Sequence, residues 1–117
     1  MFTLEAESHK TFTILRLTGE VLLPDVTTFT EQLEAYFCTP NIRQVVLDLS
    51  QIQKMDNSGL GVLVSVSTKS LAQGRRLVLL APAPHIVDLF RATQIEGFFP
   101  TIDSIEELKP YSSEVTE

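Results

Sequence analysis

The chain has 117 residues, of which 44% are hydrophobic, and a formal net charge of -6. This length fits one compact domain with a buried core. The acidic balance argues against direct recognition of nucleic acid, because phosphate backbones attract basic surfaces. The single cysteine, Cys38, excludes an internal disulfide and is expected to be a small, buried apolar residue late in a helix.

The first ten residues lack the basic region and long apolar run of a signal peptide. The longest apolar-rich stretch, Leu60 to Val66, is too short to cross a bilayer. We therefore expect a cytoplasmic protein without membrane insertion. It should consist of one domain over residues 1–110 and a flexible acidic tail over residues 111–117.

The N-terminal half predicts two strands and a helix. Alternating apolar residues from Phe2 to Ala6 indicate the first strand, and the β-forming run from Phe12 to Leu17, stopped by Thr18-Gly19, indicates the second. Proline followed by a carboxylate suits a helix start at Pro24-Asp25. That helix has an apolar stripe and ends before a second proline: Val26, Phe29, Leu33, Phe37 and Pro40.

Two nearly continuous apolar runs, Val45–Leu49 and Leu77–Leu80, indicate strands covered on both faces, as in parallel sheets. Between them, the segment from Ser58 to Gly74 fits the helical and the strand periodicity equally well. Its length and a glycine at the expected helix end favour a helix. The order strand, helix, strand then predicts a parallel crossover unit.

The C-terminal part predicts a short helix opened by Pro84, a brief strand at Phe98-Phe99 and a last helix. Asp103 or Ser104 would cap this last helix, with Glu107 completing a capping box from Ser104. Together these elements describe an α/β domain.

The segment before the middle helix contains the residues of greatest chemical interest. Asp56, Asn57 and Ser58 are all good N-cap residues. Gly59 and Gly61 follow in the first turn, where each glycine costs about 1 kcal/mol relative to alanine. This cost is explained either by close approach of another protein or by packing of the helix on the sheet.

The run Asp56-Asn57-Ser58-Gly59-Leu60-Gly61 resembles the D-x-S-G-L-G element of STAS domains, in particular of bacterial anti-sigma-factor antagonists. Four further segments resemble the family in order: Leu17–Glu20, Ile42–Met55, Pro84–Phe90 and Glu106–Leu108. The resemblance implies a single STAS-like α/β domain. Its mixed sheet would have four to five strands, with about four helices packed mainly on one face.

The resemblance also implies a function without catalysis or cofactor. In the family, the serine matching Ser58 is phosphorylated by a partner that is both anti-sigma factor and serine kinase. The unphosphorylated antagonist binds this partner and thereby frees the sigma factor. A metal-dependent serine phosphatase removes the phosphate from the serine again. Ser58 is thus the expected phosphoacceptor and Asp56 its polar neighbour, in a monomer or weak dimer.

One departure from the family pattern concerns the partner surface. Many antagonists follow the Gly-Glu pair with a hydrophobic residue and an aspartate, whereas here Val21 is followed by Leu22, and the nearest carboxylate is Asp25. Leu22 and Leu23 would either offer an apolar contact beside Ser58 or pack below the helix. The predicted partner-binding residues are Leu22, Leu23, Asp25, Asp56, Asn57, Ser58, Gly59, Leu60 and Gly61.

Other interpretations of these residues remain open. In a domain where these residues are only structural, Ser58 and Asp56 would be helix caps. Asp48 would be a structural carboxylate at a strand end. An enzyme is disfavoured, because no G-x-S-x-G elbow, dinucleotide fingerprint or metal-ligand spacing is present. His9 and His85 lie in unrelated segments and are expected at the surface. A STAS module that is not phosphorylated, acting as a protein-interaction scaffold or nucleotide sensor, is the remaining alternative.

Overall fold

The computed structural model describes residues 1–95 and 97–110, so the predicted tail at 111–117 lies outside the described residues. The strands are β1 (Phe2–Ser8), β2 (Phe12–Val21), β3 (Gln44–Asp48), β4 (Ile52–Met55), β5 (Arg76–Leu80) and β6 (Thr101–Ile102). The α-helices are α1 (Val26–Phe37), α2 (Asn57–Ala72) and α3 (Pro84–Ala92). Two 3₁₀ turns, Leu23–Asp25 and Ile105–Glu107, complete the described chain.

The strands form one mixed sheet in the order β1-β2-β3-β5-β6. Only β1 runs antiparallel, in a hairpin with β2. The first half of β2 pairs with β3, and its last residues pair in parallel with β4, so that Val21 lies opposite Met55. The segments that follow these two residues therefore leave the sheet side by side.

All three α-helices pack on one face of the sheet. The main core joins their buried side chains, such as Phe29, Leu63 and Ile86, to the inward residues of β2, β3 and β5. The opposite face has a smaller apolar cluster, covered by the segment from Ile102 to Leu108. The valine-rich helix α2 is held by this burial, which outweighs the low helix propensity of β-branched residues.

The predicted fold class is confirmed, but the predicted strand and helix counts need revision. The sheet has six strands because β4, which was expected to be a loop, pairs with the end of β2. The described residues contain three α-helices, since the predicted last helix is only the 3₁₀ turn Ile105–Glu107. Lys109 precedes Pro110, which disfavours helical backbone at that position and keeps the turn short.

The second predicted strand does not stop at Thr18-Gly19. Gly19 adopts a positive φ of 90° at a register shift, and β2 continues to Val21. Phe98-Phe99 was also wrongly predicted as a strand. These residues form a turn in which Phe98 N–H donates to the Ile95 carbonyl, and the strand begins at Thr101.

Two predicted details of single residues are also wrong. Ser104 precedes the last turn without a side-chain cap, and the Glu107 carboxylate instead accepts the Asp103 N–H at 3.3 Å. Cys38 is exposed, because α1 ends at Phe37 and the thiol-bearing residue lies just beyond the packed helix. His9 and His85 are exposed, as predicted.

Replacing Gly19 with alanine should destabilise the domain more than the same change at Gly97. Both glycines have φ near 90° (90° and 91°), but a Cβ on Gly19 would lie 2.5 Å from the Met1 carbonyl oxygen, whereas one on Gly97 meets nothing within 4 Å. A non-glycine residue at such a positive φ costs about 1–3 kcal/mol of strain. Gly97→Ala therefore measures the backbone strain without a clash. Urea unfolding of both variants checks this, and equal losses would contradict the predicted clash.

Candidate functional site

The two segments predicted to contact a partner lie next to each other. Leu22 and the first 3₁₀ turn follow the end of β2, and Asp56 with the first turn of α2 follows the end of β4. Asp56 N–H donates to the Val21 carbonyl at 3.3 Å, which continues the pairing of the two strands. The carboxyl ends of parallel strands are where α/β sheets commonly place functional loops.

The Asp56 carboxylate holds these two segments together. One oxygen accepts the backbone N–H groups of Ser58 and Gly59, at 2.9 and 3.2 Å. The other oxygen accepts the Leu23 N–H at 3.1 Å. Asp56 is therefore the N-cap of α2, and it also fixes the neighbouring turn.

Ser58 is the second residue of α2 and is partly exposed. Because Asp56 caps the helix, the Ser58 side chain is not needed for that purpose. Among the hydrogen bonds of residues 1–95 and 97–110, none involves the Ser58 hydroxyl, and no fully buried side-chain oxygen lacks a partner. The hydroxyl thus lies at the helix start without a structural role that the described contacts reveal.

The two leucines at the turn beside Ser58 differ in solvent exposure. Leu22 is partly buried, whereas Leu23 is 68% exposed. Burial thus distinguishes the two leucines, and Leu23 is the more exposed one. Pro24, which follows, is exposed as well, so the outer surface of the turn is apolar.

The carboxylate of Asp25, another predicted partner-binding residue, contacts the backbone of its own turn and the chain's N-terminus. It accepts the Leu22 N–H at 3.0 Å and the N-terminal ammonium group at 3.2 Å. The Leu22 hydrogen bond and, to a smaller extent, the ammonium charge lower the pKa of Asp25 below its ordinary value of 3.8, against an opposing contribution from desolvation. The side chain is only 19% exposed.

The two glycines of the first helical turn have different environments. A Cβ on Gly59 would lie 2.9 Å from side-chain carbons of both Met55 and Val21, so the close packing of α2 on the sheet requires glycine there. A Cβ on Gly61 would meet nothing within 4 Å. Packing therefore explains Gly59, whereas no packing contact requires glycine at position 61.

A shallow groove beside Ser58 contains residues that sequence reasoning missed. It runs between α2 and the segment after α3, and its lining consists of Asn57, Leu60, Gly61, Val64, Ser65, Thr93 and Ile95. Thr93 and Ile95 follow the end of α3, and no local pattern associates them with the start of α2. Only the packing of α3 against the same sheet face brings them there.

The described residues contain neither a metal-binding cluster nor a membrane-spanning helix. In residues 1–95 and 97–110, no group of three or more His, Cys, Asp or Glu side chains is arranged to hold a metal ion. None of the helices in that part of the chain is long and apolar enough to cross a membrane. Asp48 accepts the N–H and hydroxyl of Ser50, as expected of a structural carboxylate at a strand end.

Alanine substitutions at the two glycines should change stability in opposite directions. Gly59→Ala should lower the free energy of unfolding by about 1–3 kcal/mol, because the added methyl group overpacks the contact with Val21 and Met55. Gly61→Ala should raise it by about 0.5–1 kcal/mol, since alanine is the better helix former. Chemical denaturation of the two variants measures this, and a loss at Gly61 would disprove the open environment assigned to it.

The contribution of Asp25 to stability should depend on pH. Because its pKa is lowered in the folded state, the contribution is fully present above the ordinary value of 3.8 and disappears as the pH falls through the lower, folded-state value. Asp25→Asn should therefore lower stability at neutral pH and flatten its decline below pH 3.8. Urea unfolding over an acidic pH series tests this, and parallel pH curves for variant and wild type would contradict it.

Comparison with known proteins bears on the family and the fold of the chain. The family model of the STAS domain matches residues 3–108. SpoIIAA, an anti-sigma factor antagonist, has a similar structure in its unphosphorylated form, with 23% identity, a TM-score of 0.67 and 92% of each chain covered.

Two other solved structures are similar to the chain. The Bacillus SpoIIAA in its phosphorylated form has 20% identity and a TM-score of 0.66, over 91% of this chain and 95% of that one. An anti-sigma factor antagonist from Mycobacterium paratuberculosis has 18% identity and a TM-score of 0.77. The match covers 92% of this chain and 90% of that one. At these identities the structures establish the fold, and the family match covers nearly all of the described chain. The chain belongs to the STAS domain family.

Proposed function

We propose that this chain is an anti-sigma-factor antagonist that is switched by phosphorylation of Ser58. Without phosphate it binds an anti-sigma factor that is also a serine kinase, so the sigma factor is released. With phosphate on Ser58 it leaves this partner, and a metal-dependent serine phosphatase restores the binding form. The chain acts as a binding protein in this cycle, and transcription is the process it regulates.

The observation that carries the proposal is the position of Ser58. Its hydroxyl lies at the start of a helix that another residue caps, beside an exposed leucine and a groove next to an unobstructed glycine. A kinase needs such an accessible hydroxyl, and a docking partner needs such a surface around it. The solved structures of SpoIIAA in unphosphorylated and phosphorylated forms support the class of switch.

The chemistry of the modification is transfer of the γ-phosphoryl group of ATP to the Ser58 hydroxyl oxygen. A new O–P ester bond forms, the bond to ADP breaks, and a base of the kinase takes the hydroxyl proton. The product carries about 1.5 to 2 negative charges at neutral pH. A dianion at the centre of the docking surface opposes rebinding by charge and by size.

Substitutions at Ser58 should separate the switch from a passive scaffold. Ser58→Ala should retain the affinity for the anti-sigma factor and accept no phosphate, while Ser58→Asp should weaken binding at least about tenfold, because it places a charge in a desolvated interface. Calorimetric titration with a purified partner measures the affinities. Mass spectrometry after incubation with ATP measures the phosphate.

A matched control is available at the other end of the sheet. Ser8 is exposed and lies in β1 opposite Thr13, far along β2 from Val21. Ser8→Asp adds the same charge to the chain without touching the site, and it should leave binding unchanged. Equal affinities of the alanine and aspartate variants at position 58 would favour the scaffold and overturn the proposed function.

A further inference from the structure

The Asp56 carboxylate already accepts two of the N–H groups at the helix start that would be nearest to a phosphate on Ser58. The free N–H groups at a helix start normally bind a phosphate. Here Ser58 N–H and Gly59 N–H donate to the Asp56 carboxylate, and Leu60 N–H donates to the Asp56 carbonyl at 3.2 Å. A phosphate at this position therefore competes with a carboxylate for the same donors.

The competition is unfavourable to Asp56 on electrostatic grounds. Ser58 N–H lies 2.9 Å from the carboxylate oxygen, so a phosphate on the side chain of the same residue would be within a few ångströms of that anion. Two anions at this distance repel each other, and the phosphate has the larger charge and more acceptor oxygens. Phosphorylation thus favours displacement of the Asp56 side chain from the helix start.

Displacement of Asp56 would remove the hydrogen bond that the Leu23 N–H makes in the neighbouring turn. The Leu23 N–H donates to the second oxygen of the same carboxylate, at 3.1 Å. The Leu23 side chain is 68% exposed, so little burial holds this residue in place. The other end of the turn keeps its own contacts, because Asp25 accepts the Leu22 N–H at 3.0 Å independently of Asp56.

We propose that Asp56 is a positioning residue that couples the phosphorylation state of Ser58 to the placement of Leu23. This inference rests on the proposed function, because it describes how the same site is regulated. In the unphosphorylated protein, Asp56 holds Leu23 beside Ser58, where it is an apolar contact for the partner. Phosphate on Ser58 displaces Asp56 and loosens Leu23, so that binding is lost through a disordered contact as well as through charge.

The test is backbone amide exchange, followed by NMR, in the isolated full chain with phosphoserine at position 58. The Leu23 amide should exchange at least about fivefold faster than in the unphosphorylated chain, as expected on loss of one hydrogen bond. The Leu47 amide in the core strand β3 should not change. Unchanged exchange at Leu23 would overturn the coupling.

Two further samples distinguish coupling from general loosening. Phosphoserine at Ser65, an exposed position on the same helix, should leave the Leu23 amide protected. In Asp56→Asn, the Leu23 amide should exchange fast without phosphate, and phosphorylation of Ser58 should accelerate it little further. If phosphorylation still accelerated Leu23 in full in this variant, Asp56 would not be the link.

These measurements use no partner, so their outcome is separate from that of the proposed function. Faster exchange at Leu23 with no effect of phosphate on partner binding would leave the coupling intact and refute the switch. Weaker binding with unchanged exchange at Leu23 would leave the switch intact and refute the coupling.

Discussion

The Asp56 carboxylate is the interaction on which the site depends. It caps α2 through two backbone N–H groups and fixes the adjacent turn through a third. Because this one side chain satisfies the helix start, Ser58 is left without a capping role, and Leu23 is held beside it although its side chain is largely exposed. The geometry around Ser58 is thus determined by a neighbour rather than by the serine itself.

The sheet explains why these two segments meet at all. The end of β2 pairs in parallel with β4, and both chains leave the sheet at the same edge. Gly59 then allows α2 to start in close contact with Val21 and Met55, where a methyl group would not fit. Ser58 is partly exposed as a result of three features. These are the packing of α2 on one face of the sheet, its close approach at Gly59, and the three N–H groups that donate to Asp56.

The sequence was sufficient to predict the crossover unit and the position of Ser58 at the start of α2. The apolar runs of β3 and β5 and the glycine at the end of α2 are local signals, and they were interpreted correctly. Strand β4 was missed because Ile52 and Met55 are buried while the two residues between them are exposed, which is a weak pattern over four residues. The ion pair between Asp25 and the N-terminal ammonium group and the Thr93–Ile95 wall of the groove depend on contacts between distant segments, and no short pattern encodes them.

The central claim is that a phosphate on Ser58 controls the association with an anti-sigma factor. The most direct measurement is the affinity of one purified partner for the chain before and after stoichiometric phosphorylation of this serine. We expect tight binding of the unmodified chain and at least about tenfold weaker binding of the phosphorylated chain. Equal affinity of the two forms would contradict it.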